Sequence, residues 1–144
     1  MKITDRIVDR TAFAARVHGY LKWHFERFFH SAGYLMQPTS PVKGLVLRPV
    51  LDMDYFEVSF LGMRIRFQFV LQCASDGFLG GKVIAVRESY GLPNCDGNVG
   101  GFMFDAQGFT DFDDSMSGGR LDIGYGAAEI ILHFFDQAII KRCL

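Results

Sequence analysis

The apolar positions follow a helical period at both ends of the chain and a strand period in its middle. Ile3, Ile7, Ala14, Val17, Leu21, Phe25, Phe28 and Phe29 fall on one arc of about 120° when plotted at 100° per residue, with no proline among them. This predicts a long helix from Thr4 to Ala32 with that arc as its core face. Thr4 or Asp5 supplies the N-cap, and Gly33 stands where a left-handed C-terminal residue is favoured. Gly19 costs about 1 kcal/mol relative to alanine in mid-helix, so a bend or a close approach is expected there. A second helix is predicted from Gly124 or Ala127 to Cys143. Its apolar residues Ile130, Ile131, Leu132, Phe134, Phe135, Ala138 and Ile139 cover more than half the circumference, leaving Glu129, His133, Asp136 and Gln137 as a polar strip. Such a helix is covered on more than one side, by a sheet and by the first helix or a second subunit.

Between them, residues 54–60 and 63–72 alternate and are joined by Leu61-Gly62, a hairpin pattern. A two-residue turn sets Phe60 opposite Met63, Val58 opposite Ile65 and Phe56 opposite Phe67 on one face. The other face then opposes Ser59 to Arg64, Glu57 to Arg66 and Tyr55 to Gln68; a slip of one residue would mix the faces. A short strand at Leu45-Val46-Leu47 is expected to stop at Arg48-Pro49, with a turn at Asp52-Met53-Asp54. Further strands are expected at 82–89 and 101–105, with a shorter one at 109–112. Residues 91–101 and 113–120 read as loops from their Gly, Asn, Pro, Asp and Ser content. The fold expected is α+β, a single domain over 1–144: an antiparallel meander of four to six strands packed with a long N-terminal and a C-terminal helix.

Composition supports a packed domain and narrows the chemistry. Of 144 residues, 49% are hydrophobic and 22% charged, too apolar for a disordered chain. The net charge of −1 conceals an asymmetry: residues 1–72 carry ten Lys/Arg and six Asp/Glu, residues 73–144 five and ten. This balance disfavours nucleic acid as a partner, although Arg6, Arg16 and Arg27 beside Tyr20 and Trp23 could contact it locally. No run of about 18 apolar residues appears, so no membrane span is expected. The first residues lack the apolar core of a secretory signal, making the cytoplasm the expected compartment. Cys73, Cys95 and Cys143 form neither a C-x-x-C pair nor an even set, so neither a disulfide framework nor a zinc site is signalled.

No catalytic motif stands out, and no metal or cofactor is expected. His18, His24 and His30 recur every six residues, which on a helix sends them in three directions. Glu129 and His133 are one helical turn apart, a spacing that serves a metal or an imidazole base but equally a solvated strip. The segment Asp105 to Asp114 holds four aspartates around Phe109 and Phe112. Its carboxylates could bind a divalent ion, yet an EF-hand's glycine and terminal glutamate are missing. Aromatic anchors beside carboxylates also suit docking onto a basic protein surface.

The residues expected to bind a partner are therefore Phe13, Arg16, Tyr20, Trp23 and Arg27 on a second face of the first helix, with Phe109, Asp111, Phe112, Asp113 and Asp114 in the acidic segment. The function expected is a non-enzymatic protein-binding module, such as a small cytosolic inhibitor, immunity or adaptor protein, with a homodimer as one form. The alternative is a small α+β enzyme or ligand-binding domain whose pocket lies between sheet and helices, lined by phenylalanines with Glu129, His133 or Asp111 as polar groups.

Overall fold

The computed structural model describes residues 2–73, 77–88, 97–114, 116 and 118–140. The elements run in the order α1 (Asp5–Ala32), β1 (Val46–Val50), β2 (Tyr55–Phe60), β3 (Met63–Cys73), β4 (Leu79–Glu88), β5 (Asn98–Phe104), β6 (Phe109–Asp113), β7 (Arg120–Asp122) and α2 (Ala127–Ile140). The strands form one antiparallel sheet in sequence order from β1 to β7. The fold is thus α+β, with seven strands instead of the four to six expected. The additional strand is β7, three residues whose pairing begins at Arg120, in a stretch read as loop from its composition.

The β2–β3 hairpin has the register that the alternation predicts, from Phe60 opposite Met63 to Tyr55 opposite Gln68. Leu61 and Gly62 both take positive φ, 52° and 75°, which a two-residue turn matching the strand twist requires. Glycine accepts this freely; leucine does so at a cost. On β1 the expected stop at Pro49 is corrected, because the strand continues to Val50 with Pro49 opposite Phe56. β1 is an edge strand, so the missing N–H breaks no interior ladder.

Both helices pack on one face of the sheet. Phe25 and Phe28 of α1 meet Phe56, Phe67, Phe69 and Phe102, and Phe134 of α2 meets Phe67 and Phe102. These rings, with Leu21, Ile65, Val83, Ile123, Ile130 and Ile131, make a continuous buried core. The glycines of β5 let the layers close: a Cβ on Gly100 would come within 3.2 Å of the Phe134 ring. α2 is buried at Ala127, Ile130, Ile131, Phe134, Phe135 and Ala138, whereas Ile139, expected among the covered residues, is 46% exposed. At the end of α1, Gly33 is right-handed (φ −55°), because the chain tightens into a 3₁₀ turn, Gly33–Met36, instead of reversing. Of the loop expected over 91–101, residues 91–96 lie outside the described residues, and 98–101 are instead the first half of β5, paired with β4. Cys95, Cys143 and the last turn expected of α2 also lie outside the described residues.

Candidate functional site

α1 is divided between two environments. Its second half, from Leu21 to Ala32, supplies the buried residues Leu21, His24, Phe25, Phe28 and Ala32. Its first half, from Asp5 to Tyr20, contains no buried residue at all. The Thr4 side chain caps the helix by accepting from the Ile7 N–H, and the arc that reads as core face continues beyond the sheet. Ile3 and Ile7, expected to be core, are 80% and 44% exposed. Periodicity records that a face is apolar, not whether the same chain covers it.

Phe13, Arg16, Tyr20, Trp23 and Arg27 repeat at intervals of three and four, which places them along one side of α1. Phe13, Tyr20 and Trp23 are 53%, 65% and 59% exposed, and Arg16 is exposed. Arg27 has a different role. Its Nη1 lies 3.0 Å from Asp122 Oδ1 and its Nη2 3.1 Å from Oδ2, a two-pronged pair tying α1 to the end of β7. Nη2 also lies 3.2 Å from Nδ1 of His24, whose Nε2 is 2.9 Å from the Ala106 carbonyl. Since guanidinium only donates and a carbonyl only accepts, His24 is the neutral tautomer with its proton on Nε2. The guanidinium lies 5.5 Å from the Trp23 ring centroid, so the exposed indole rests on a fixed support.

Electrostatics agree with this tautomer. Burial lowers the His24 pKa below its ordinary 6.5 and the Arg27 charge lowers it further, outweighing the Ala106 hydrogen bond and the Asp122 and Asp105 carboxylates that favour protonation. Burial alone would raise the Asp122 carboxyl, but hydrogen bonds from Arg27 and the Tyr125 and Gly124 N–H groups bring it below its usual value. The two backbone bonds also make Asp122 the organiser of the turn into α2. Gly108 and Gly124 give this cluster its room: a Cβ on Gly108 would stand 2.8 Å from the His24 ring, and one on Gly124 would stand 2.3 Å from Arg27 Nη1.

The acidic segment is divided by strand alternation. Phe109, Asp111 and Asp113 face outward from β6, while Thr110 is buried and donates to the Leu121 carbonyl at 2.7 Å. Phe112 turns inward against Phe102, His133 and Phe134, which makes it core packing. Asp111 accepts from the Met103 N–H, Asp105 caps its own turn and pairs with Arg120, and Asp114 accepts from the Met116 N–H. These carboxylates are occupied locally, and Phe109, 41% exposed, is the apolar group that the strand offers outward. Phe109 directly follows the turn that His24 and Arg27 grip, so this edge adjoins the base of the aromatic row. The Arg27–Asp122 pair, which joins the two regions, could not be anticipated across 95 positions of sequence.

Among the described residues, no group of three or more His, Cys, Asp or Glu is placed to hold a metal. No described helix is long and apolar enough to cross a membrane. Glu129 and His133 line a depression of about 170 Å³ with Phe112, Asp113, Leu121 and Ile130. That is below the roughly 300–1,000 Å³ of small-molecule sites, and the His133 imidazole packs edge-on against Phe112 and Phe134. No family description, curated protein or solved structure matches the chain.

Proposed function

We propose that this chain is a non-enzymatic protein-binding module, acting by surface complementarity in the manner of a small cytoplasmic inhibitor, immunity or adaptor protein. The observation that carries the reading is the first half of α1, sixteen residues of helix without a buried residue, where only Val17 and His18 touch the sheet and the aromatic row stays exposed. Helices of this length are marginal in water without tertiary packing, and this one contains Val8, Thr11, Phe13, Val17 and Gly19, all weak helix formers. Its second half anchors it and a partner supplies the cover.

Tyr, Trp and Arg concentrate binding energy at interfaces because they bury much area with little loss of rotamer freedom and keep a polar handle. Phe13, Arg16, Tyr20 and Trp23 form that set, with Trp23 braced by Arg27 and Phe109 at the adjoining edge. The test is capture from an extract of the source cell, with the chain as bait and mass spectrometry as readout. Phe13→Ser and Tyr20→Ser are exposed changes that should keep the melting temperature, whereas Trp23→Ser also gives up its contacts with Arg27 and His24 and should lower it slightly. Each is expected to weaken the specific partner at least tenfold, as loss of an interface anchor does. An unchanged set of captured proteins from all three would refute the reading.

A further inference from the structure

The face of the sheet turned away from both helices carries a cluster of arginines separate from the α1 surface. Arg48 of β1, Glu57 of β2 and Arg66 of β3 stand in one row of the register, with Ser59 and Arg64 in the next row on that face. Glu57 is only 8% exposed although neither helix lies above it, because the long side chains beside it fold over it. Register sets Glu57 directly opposite Arg66, yet the two form no ion pair. Instead, one oxygen of Glu57, Oε2, lies 3.7 Å from Arg48 Nε and 4.0 Å from Arg64 Nε, both beyond hydrogen-bond length. Arg66 turns to the Tyr55 ring, its guanidinium carbon 5.4 Å from the centroid, and its buried Nε has no hydrogen-bond partner.

Three guanidinium groups thus surround a carboxylate that none of them reaches at hydrogen-bond distance. The second carboxylate at hand, Glu88, meets only Arg64, through Nη1 at 3.4 Å, so the three cations exceed the two carboxylates by one charge. Glu57 approaches Arg48 and Arg64 from the Nε side, which leaves their terminal nitrogens turned outward on side chains 70% and 44% exposed. The Nη atoms of Arg48 and Arg66 and Nη2 of Arg64 have no hydrogen-bond partner among the described residues. An anion lying over β2 therefore meets donors from β1 on one side and from β3 on the other. A carboxylate has two oxygens in one plane and is filled by a single guanidinium fork, whereas a phosphate directs oxygens to several sides and takes several forks. We propose that Arg48, Arg64 and Arg66 form a binding site for a phosphate group on the open face of the sheet. Beside Arg64 the surface sinks into a depression of about 290 Å³ at the hairpin end, lined by Ser59, Gly62, Met63 and Glu88, which gives room to the group that carries the phosphate.

Titration of the full chain at constant ionic strength, followed by the NMR signals of the arginine Nε–H groups and the backbone amides, tests the site. Inorganic phosphate is expected to shift Arg48, Arg64 and Arg66 together and saturably, with a dissociation constant in the millimolar range, while acetate leaves them in place. Arg48→Gln and Arg66→Gln should each raise that constant about tenfold, the loss of one charge-assisted hydrogen bond. Arg48 is the more exposed of the two, so its variant keeps the test decisive should Arg66→Gln unfold. Two further probes distinguish sources of the group: a phosphoserine tripeptide, and phosphatidylcholine vesicles with and without phosphatidic acid. Tighter binding of either one than of phosphate, lost in Arg48→Gln, would support the site and name its source. The inference is overturned if no probe gives a saturable shift, if acetate acts as phosphate does, or if a folded Arg48→Gln binds phosphate as tightly as wild type. Phe13→Ser should bind phosphate unchanged, which keeps this site and the α1 surface separately testable.

Discussion

Arg27→Met is the most informative single change, because the Arg27–Asp122 pair joins the first helix to the far end of the sheet. The substitution keeps the aliphatic stem and removes the guanidinium, leaving the Asp122 carboxylate without its two-pronged partner at 3.0 and 3.1 Å. Breaking a fully buried pair costs about 3–5 kcal/mol. Here the side chains are 27% and 18% exposed, and Asp122 keeps the Gly124 and Tyr125 N–H groups at 2.8 and 3.0 Å. Solvent and those two bonds reduce the expected loss to about 2 kcal/mol. For a domain of this size that lowers the melting temperature by about 4–8 °C. Thermal and urea unfolding followed by circular dichroism would measure it, in a double-mutant cycle with Asp122→Asn. The double variant should be less destabilised than the two single losses added together, since each single change strands the remaining partner. A loss below about 0.5 kcal/mol, or strict additivity, would show the pair to behave as an ordinary surface ion pair and would remove it as the brace for Trp23.

Other outcomes follow from the same contacts. His24 has a lower pKa folded than its ordinary 6.5, so the unfolded chain takes up the proton first; this contribution is complete above that value and is lost as pH falls through the folded pKa. Melting temperature should therefore drop between neutral and mildly acidic pH, less steeply in His24→Gln, and an identical pH slope in that variant would contradict the assigned tautomer. Gly124→Ala should destabilise by displacing Arg27, its Cβ falling 2.3 Å from Nη1; a neutral effect on unfolding would mean that the cluster yields easily. Gly19 has open space around it, so Gly19→Ala should strengthen the projecting half of α1 by about 0.5–1 kcal/mol, read as slower amide exchange there; unchanged exchange would contradict a freely fraying segment. Leu61→Asn should stabilise the hairpin by about 0.5–1 kcal/mol, because leucine at φ 52° is less at ease than asparagine.

What can be read from the chain alone depends on whether the signal is local. The β2–β3 hairpin is fully legible, since alternation and a two-residue turn fix a register together. Both helices are legible from their period, and the wide apolar girth of α2 correctly implies cover from more than one side. The length of β1 is not, because Pro49 is forbidden only inside a sheet and the sequence does not say which strand lies at an edge. Phe109 and Phe112 look alike in composition, but three positions apart on a strand they face opposite ways, one to solvent and one to the core. The projecting half of α1 is the least legible feature: its stripe is continuous with Leu21, Phe25 and Phe28, and only the end of the sheet beneath it divides covered from uncovered. The brace of Arg27 on Asp122, with the two glycines that make room for it, joins segments too distant in sequence to be paired by pattern.

The proposed function depends on the start of α1 lying uncovered within one copy of the chain: residues 5–13 are all exposed, and only further on do Val17 and His18 touch the sheet. Hydrogen exchange at single amides tests it most directly, on protein diluted until it is monomeric. Amides of residues 9–16 are expected to exchange at least about a hundredfold faster than those of residues 24–32, whose opening is tied to the buried core, and to slow when a partner binds. Equal protection along the whole helix in the isolated monomer would contradict the account.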